Sequence, residues 1–176
     1  ANDPQVQLEA LHQAVLLAPQ DEGARFDYVK LLLQMQQVEQ ARAAFAPVAT
    51  RAAQVRRLEA LERWLEAIDF AAQHPDLAGA NAALDLKIAA NRRDFEARFG
   101  KAQLAMAAQL WTAAMDELLD ILMRDKTWSE DLARKTYIAI LELIEPPKVK
   151  VADGQIPPAD PTVATYRRRL SSVVLS

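Results

Sequence analysis

Apolar residues recur at intervals of three and four along almost the whole chain, and breaks in that rhythm mark the elements. Val6, Leu8, Leu11, Ala14, Val15 and Ala18 form one stripe over residues 4–18, with Pro4 in a first-turn position and Pro19 as the stop. Asp21 is placed to cap a second helix to about Gln36, with Phe26, Val29, Leu32 and Leu33 facing inward. Gln36-Gln37 is a weak break. A third helix, about 38–49, carries Val38, Ala41, Phe45 and Val48, and Pro47 predicts a kink or an early end. Residues 52–73 read as a longer helix through Val55, Leu58, Leu61, Leu65, Ile68 and Ala72, with Glu59 one turn before Arg63. His74-Pro75 ends it.

Asp76 starts a fifth helix to Ala90, and Asp94 caps a sixth that ends near Ala108. Leu110, Ala114, Leu118 and Ile121 line a seventh over 110–125. An eighth spans roughly 129–144, with Ser129 as its cap and Asp131 in its first turn. Glu145 to Pro161 then holds prolines 146, 147, 157, 158 and 161, so this stretch is irregular. Asp160-Pro161 opens a last helix, in which Val163, Tyr166 and Leu170 share a face that Val173 and Val174 extend. We expect Tyr166 and Leu170 to dock inward and the end from Val173 to Ser176 to be free for a partner. The alternatives are a terminal cap on the chain's own helices or a hook for a partner groove.

The chain also repeats itself. Asp94-Phe95-Glu96-Ala97-Arg98-Phe99 echoes Asp21-Glu22-Gly23-Ala24-Arg25-Phe26, 73 residues earlier. At the same offset Leu11 maps to Leu84, Val15 to Ile88, Ala41 to Ala114 and Val48 to Ile121. A constant offset over this length points to a duplicated helical unit. It is about two repeats of ~34 residues plus a short insertion, and ~34 is the tetratricopeptide period. Ala41 and Ala114 are therefore expected at equivalent close helix crossings.

Composition narrows the partners. Hydrophobic residues make up 51% and aromatics only 6% of the 176 residues, which suits closely packed helices better than a sheet. A net charge of −3 gives no electrostatic reason to expect nucleic acid or an anionic membrane. With no cysteine, disulfides, thiol catalysis and thiolate metal sites are excluded. Ala1-Asn2-Asp3-Pro4 lacks the basic flank and apolar run of a secretion signal. The uncharged stretch Ala102 to Met115 is too short to cross a bilayer. A soluble cytoplasmic protein is the expectation.

No reaction constellation emerges. His12 and His74 lie far apart in sequence, whereas a metal site needs three or four converging ligands, so no metal and no cofactor are expected. Asp116 with Asp120, and Glu142 with Glu145, read as solvated helix faces rather than acid–base pairs. The four glycines are isolated, so no phosphate loop exists. Trp64, Trp111 and Trp128 lie on or beside apolar stripes and read as core. Arg25 and Arg98 occupy equivalent places in the two copies. They suit either contacts for a partner's carboxylates or helix-end salt bridges. The chain is not expected to be an enzyme.

The succession Asp94 to Phe99, Trp111 to Leu119, Arg124-Asp125-Lys126, Asp131 to Tyr137 and Tyr166-Arg167-Arg168-Arg169-Leu170 resembles the C-terminal region of the YbbN/CnoX family. These are bacterial thioredoxin-like co-chaperones with a tetratricopeptide region. The thioredoxin domain that precedes this region in the family is not in the chain, so the sequence reads as the helical part of a longer protein. The Pro-rich segment is also longer than the family's usual connection.

The resemblance implies a holdase that binds unfolded clients and hands them to the GroEL and DnaK systems, with residues 162–176 taking the chaperonin contact. The expected fold is all-α: a tetratricopeptide-like array of antiparallel helix hairpins, about nine helices. The array covers 1–145, a linker 146–161 and a C-terminal helix 162–176. The expected partner-binding residues are Arg25, Arg98, Tyr166, Arg167, Arg168, Leu170, Val173, Val174 and Leu175. The alternative is a structural scaffold or dimerisation domain that positions the absent thioredoxin domain.

Overall fold

The computed structural model describes residues 3–147 and 150–176. Residues 1 and 2, in the N-terminal stretch read above, and 148 and 149, in the Pro-rich segment, lie outside the described residues. Among the described residues there are nine α-helices and no strand. They are α1 (Pro4–Leu17), α2 (Glu22–Gln34), α3 (Val38–Phe45), α4 (Arg56–Ala72), α5 (Leu77–Ala90), α6 (Phe95–Ala107), α7 (Trp111–Arg124), α8 (Trp128–Ile144) and α9 (Pro161–Leu175). A 3-10 helix, Ala46–Gln54, lies between α3 and α4.

Aspartates start five of the helices. Asp3, Asp21, Asp76, Asp94 and Asp160 accept from the backbone N–H of Gln5, Ala24, Gly79, Ala97 and Val163 respectively. Each satisfies one of the donors that the first turn leaves without an intrahelical acceptor. Pro4 and Pro161 stand in first turns, where their missing N–H costs nothing.

The duplication is visible in the backbone. α2 and α6 end in the same way, with Gln36 and Gln109 both in the left-handed region at φ 61°. The N–H of Gln37 donates to the Leu32 carbonyl and that of Leu110 to Ala105, each at 2.8 Å. The N–H groups of Gln36 and Gln109 donate to Leu33 and Met106, each at 3.0 Å. This pair of bonds is a Schellman cap, which turns the chain sharply so that α3 folds back on α2 and α7 on α6.

Three element boundaries differ from the sequence reading. α3 stops at Phe45, and the 3-10 helix takes over with Pro47 in its first turn. α4 therefore starts at Arg56 rather than near residue 52, after Val55 turns extended. Ser129 is not the cap of α8. Ser129, Glu130 and Asp131 have φ of 51°, 55° and 66°, a left-handed turn inside the helix, and Thr127 precedes the first turn without capping it, its hydroxyl donating instead to Asp125 Oδ1 at 3.2 Å.

The chain divides into two compact units, one to Leu65 and one from Glu66. In the first, α2 packs on α1 and α3. Its buried side chains include Phe26, Val29, Leu32, Leu33, Phe45, Val48, Leu58, Leu61 and Trp64. The Arg57 guanidinium lies 5.4 Å from the Phe26 ring centre. In the second, α6 packs on α5 and α7, α7 on α8, and α9 on both α7 and α8. Met106, Met115, Leu118, Ile121, Leu122, Tyr137 and Ile140 form its core. Ala41 and Ala114 are both 0% exposed, as the repeat register requires.

α5 is the exception to burial. None of its residues is buried, and Leu77 and Leu86 are exposed. Between Ile144 and Asp160 the described residues form no helix. There Gly154 takes φ 82° in a turn closed by the Gln155 N–H on the Ala152 carbonyl at 3.0 Å.

Candidate functional site

The two arginines singled out in the repeat are buried, Arg25 at 8% and Arg98 at 6% exposure. Both reach back six residues to tie down the loop before their helix. Arg25 Nη2 donates to the Pro19 carbonyl at 3.2 Å, and Arg98 Nε donates to that of Arg92 at 2.9 Å. Arg25 Nη1 also donates to the Ala44 carbonyl on α3, at 2.8 Å. Arg98 Nη1 lies 3.6 Å from Asp120 Oδ2 and 3.9 Å from Glu117 Oε2 on α7. Burial, more than any neighbour, pushes the Glu117 carboxyl up, opposed by the charge of Lys101.

The C-terminal residues divide by face. Val163 and Tyr166 are buried, and Leu170 and Val173 pack partly buried against the same core. The Tyr137 hydroxyl donates to the Tyr166 carbonyl at 2.6 Å, and the Tyr166 hydroxyl donates to Asp116 Oδ1 at 2.9 Å. Arg169 lies over the Tyr166 ring, 4.7 Å from its centre. Burial pushes both tyrosine hydroxyls up, and for Tyr166 its bond to Asp116 adds to the effect.

Arg167 and Arg168 are exposed. Arg167 pairs with Glu145 at 2.9 Å, and Arg168 donates to the Thr165 hydroxyl at 3.3 Å. The end of α9 is not free as expected. Val173 faces the core, and Lys126 donates to the Val174 carbonyl at 3.4 Å and also to that of Ser176. Leu175 remains 85% exposed.

The other candidates are absorbed by packing. Trp64 is buried, while Trp111 and Trp128 pack partly buried on the second unit's core. His12 stacks on Tyr28, with centres 5.3 Å apart, and His74 leans on Phe70. Asp116 and Asp120 hold Tyr166 and Arg98. Among the described residues no group of three His, Cys, Asp or Glu could hold a metal ion, and no helix is long and apolar enough to cross a membrane.

A feature outside the sequence reading lies in the first unit, where α1 and α3 wall an open groove of about 660 Å³ over α2. Gln5, Glu9 and His12 come from α1, Arg25 and Tyr28 from α2, Gln37 from the turn before α3 and Gln40 from α3. Burial first and Glu9 second push the Tyr28 hydroxyl up. No local motif announces this groove, because its walls come from three helices. The buried arginine beside the Pro19 loop is its one sequence-level trace.

Helix hairpins closed by matching caps, with buried alanines where the paired helices cross, are what a tetratricopeptide array requires. The sequence agrees: the family model described as tetratricopeptide repeat matches residues 71–174. A comparison with curated proteins finds no match. With a repeated hairpin in its backbone and a family match over more than half its length, the chain belongs to the tetratricopeptide repeat family.

Proposed function

We propose that the chain is the interaction module of a co-chaperone, a holdase that captures unfolded polypeptide on exposed helix surface. Tetratricopeptide arrays generally bind other proteins, which gives the broad class. The observation that carries the finer reading is α5, a helix of 14 residues with none buried. Leu77 and Leu86 are exposed on it, nine residues and half a turn apart, so the helix presents apolar side chains to partners on two sides. The resemblance to YbbN/CnoX proteins supports unfolded clients, the GroEL and DnaK systems as receivers, and a cytoplasmic setting.

Aggregation of a reduced, unfolded probe protein, followed by light scattering, tests this. The chain is expected to suppress scattering, and a Leu77→Lys, Leu86→Lys variant of unchanged helicity is expected to lose most of that effect. No suppression by the wild-type chain sinks the holdase reading.

A further inference from the structure

The two copies of the buried arginine differ in one respect. Arg98 has its counter-charges, Asp120 and Glu117, 3.6 and 3.9 Å away. The residues 73 positions before those carboxylates are Pro47 and Ala44, which carry no charge. Arg25 is left with two carbonyl oxygens, and its Nε is buried with no acceptor. Among the described residues it has no ion pair. A buried cation without an opposite charge is unfavourable, so the first unit lacks a component that the second supplies internally. Arg25 also lines the groove of about 660 Å³, a volume in the range of natural ligand sites.

We propose that this groove binds an extended segment of a partner protein and takes one of its aspartate or glutamate side chains at Arg25. The carboxylate supplies in trans what Glu117 and Asp120 supply in the second unit, and a guanidinium suits a carboxylate in charge and shape. Gln37, just ahead of α3, and Gln40 on it offer amides, each with donors and an acceptor, to the N–H and C=O groups of an extended backbone. Leu8 and Leu16 give its neighbouring side chains apolar contact. Glu9, on the α1 wall, disfavours a second acidic residue further along, so the preferred segment carries one carboxylate rather than a run of them. This site rests on the interaction-module reading but uses a different surface from α5.

The test uses three acetylated nine-residue probe peptides on the full chain, read by fluorescence anisotropy. The first has one central glutamate among leucines and serines and an amidated end. The second has glutamine in its place. The third has glutamine and a free terminal carboxylate. The first is expected to bind about tenfold more tightly than the second, the scale of one charge-assisted hydrogen bond. Ala44→Glu, which restores the second unit's arrangement in cis, is expected to abolish that difference and to raise the melting temperature. Ala44→Gln is expected to preserve the difference.

Equal binding of the first two peptides overturns the proposal, as does a difference that survives Ala44→Glu. Preference for the third peptide overturns the assignment to a side chain. Failure here with scattering still suppressed faults the Arg25 site alone, whereas failure of suppression with the peptide preference intact faults only the holdase reading.

Discussion

Gln36 and Gln109 show how much one residue can hide. Both sit at φ 61°, where a side chain crowds the following carbonyl and glycine is the usual occupant. Glutamine carries no turn signal, so Gln36-Gln37 reads in sequence only as a weak break and Gln109 as a bare gap between two helices. The cap appears only in the pair of bonds at 2.8 and 3.0 Å. Gln36→Gly or Gln109→Gly should relieve the crowding and stabilise the fold by about 1 kcal/mol, less the entropy that glycine adds to the unfolded chain. Urea denaturation checks this, and a loss of stability would mean that the glutamine side chains contribute more than the backbone strain costs.

The buried arginines are illegible for another reason. Arginine is ordinarily exposed, so sequence supports a surface contact, and only the carbonyls of Pro19 and Arg92 reveal what these two hold. The caps at Asp21, Asp76, Asp94 and Asp160, by contrast, were legible because Asp ahead of an apolar rhythm has one strong local reason to be there.

At the scale of elements, start signals and apolar rhythm located every helix, while the exceptions arose where the packing or the backbone overruled local pattern. Pro47 gave the end of α3 but not the 3-10 helix that follows it, and the left-handed turn at Ser129 to Asp131 has no Gly or Asn to announce it.

The junction of α8 and α9 is one element contact with a pH signature. Tyr137 and Tyr166 both hold their protons more tightly folded than unfolded, chiefly because they are buried. Their contribution is therefore complete below the ordinary tyrosine value near 10 and is lost as pH rises from there through the folded values. Melting temperature should hold on this account to about pH 10 and fall above it. Tyr137→Phe should cost about 1 kcal/mol at neutral pH, since the Tyr166 carbonyl loses its donor, and should make the alkaline fall shallower. Melts of both proteins between pH 8 and 11.5 check the sign. A steeper alkaline fall in the variant would rule this assignment out.

For the molecule as a whole, the duplication explains the common plan of the two units, and α9 marks where the second departs from it. From sequence α9 was expected to be mixed, with Tyr166 and Leu170 docked inward and the end from Val173 to Ser176 free for a partner. The structure seats it on α7 and α8, with Val163 and Tyr166 buried and Leu170 and Val173 partly so. An isolated helix of 15 residues is marginal in water, so this docking is what keeps it helical. It also covers apolar surface of α7 and α8 that would otherwise meet solvent. Removing residues 161–176 forfeits the burial of Val163 and Tyr166 alone, roughly 3–6 kcal/mol as an upper figure at 1.5–3 kcal/mol per side chain. The truncated chain should therefore melt well below the full one and bind more of an apolar dye. Calorimetry and dye fluorescence measure both. Leu175→Ser is the companion variant, because that side chain is 85% exposed and contributes little to the docked face. It should melt like wild type while weakening capture by GroEL, if the end of α9 meets the chaperonin. A truncated chain with unchanged melting and low dye binding would show that α9 is no part of the second unit's stability, and would return it to the role of a hook.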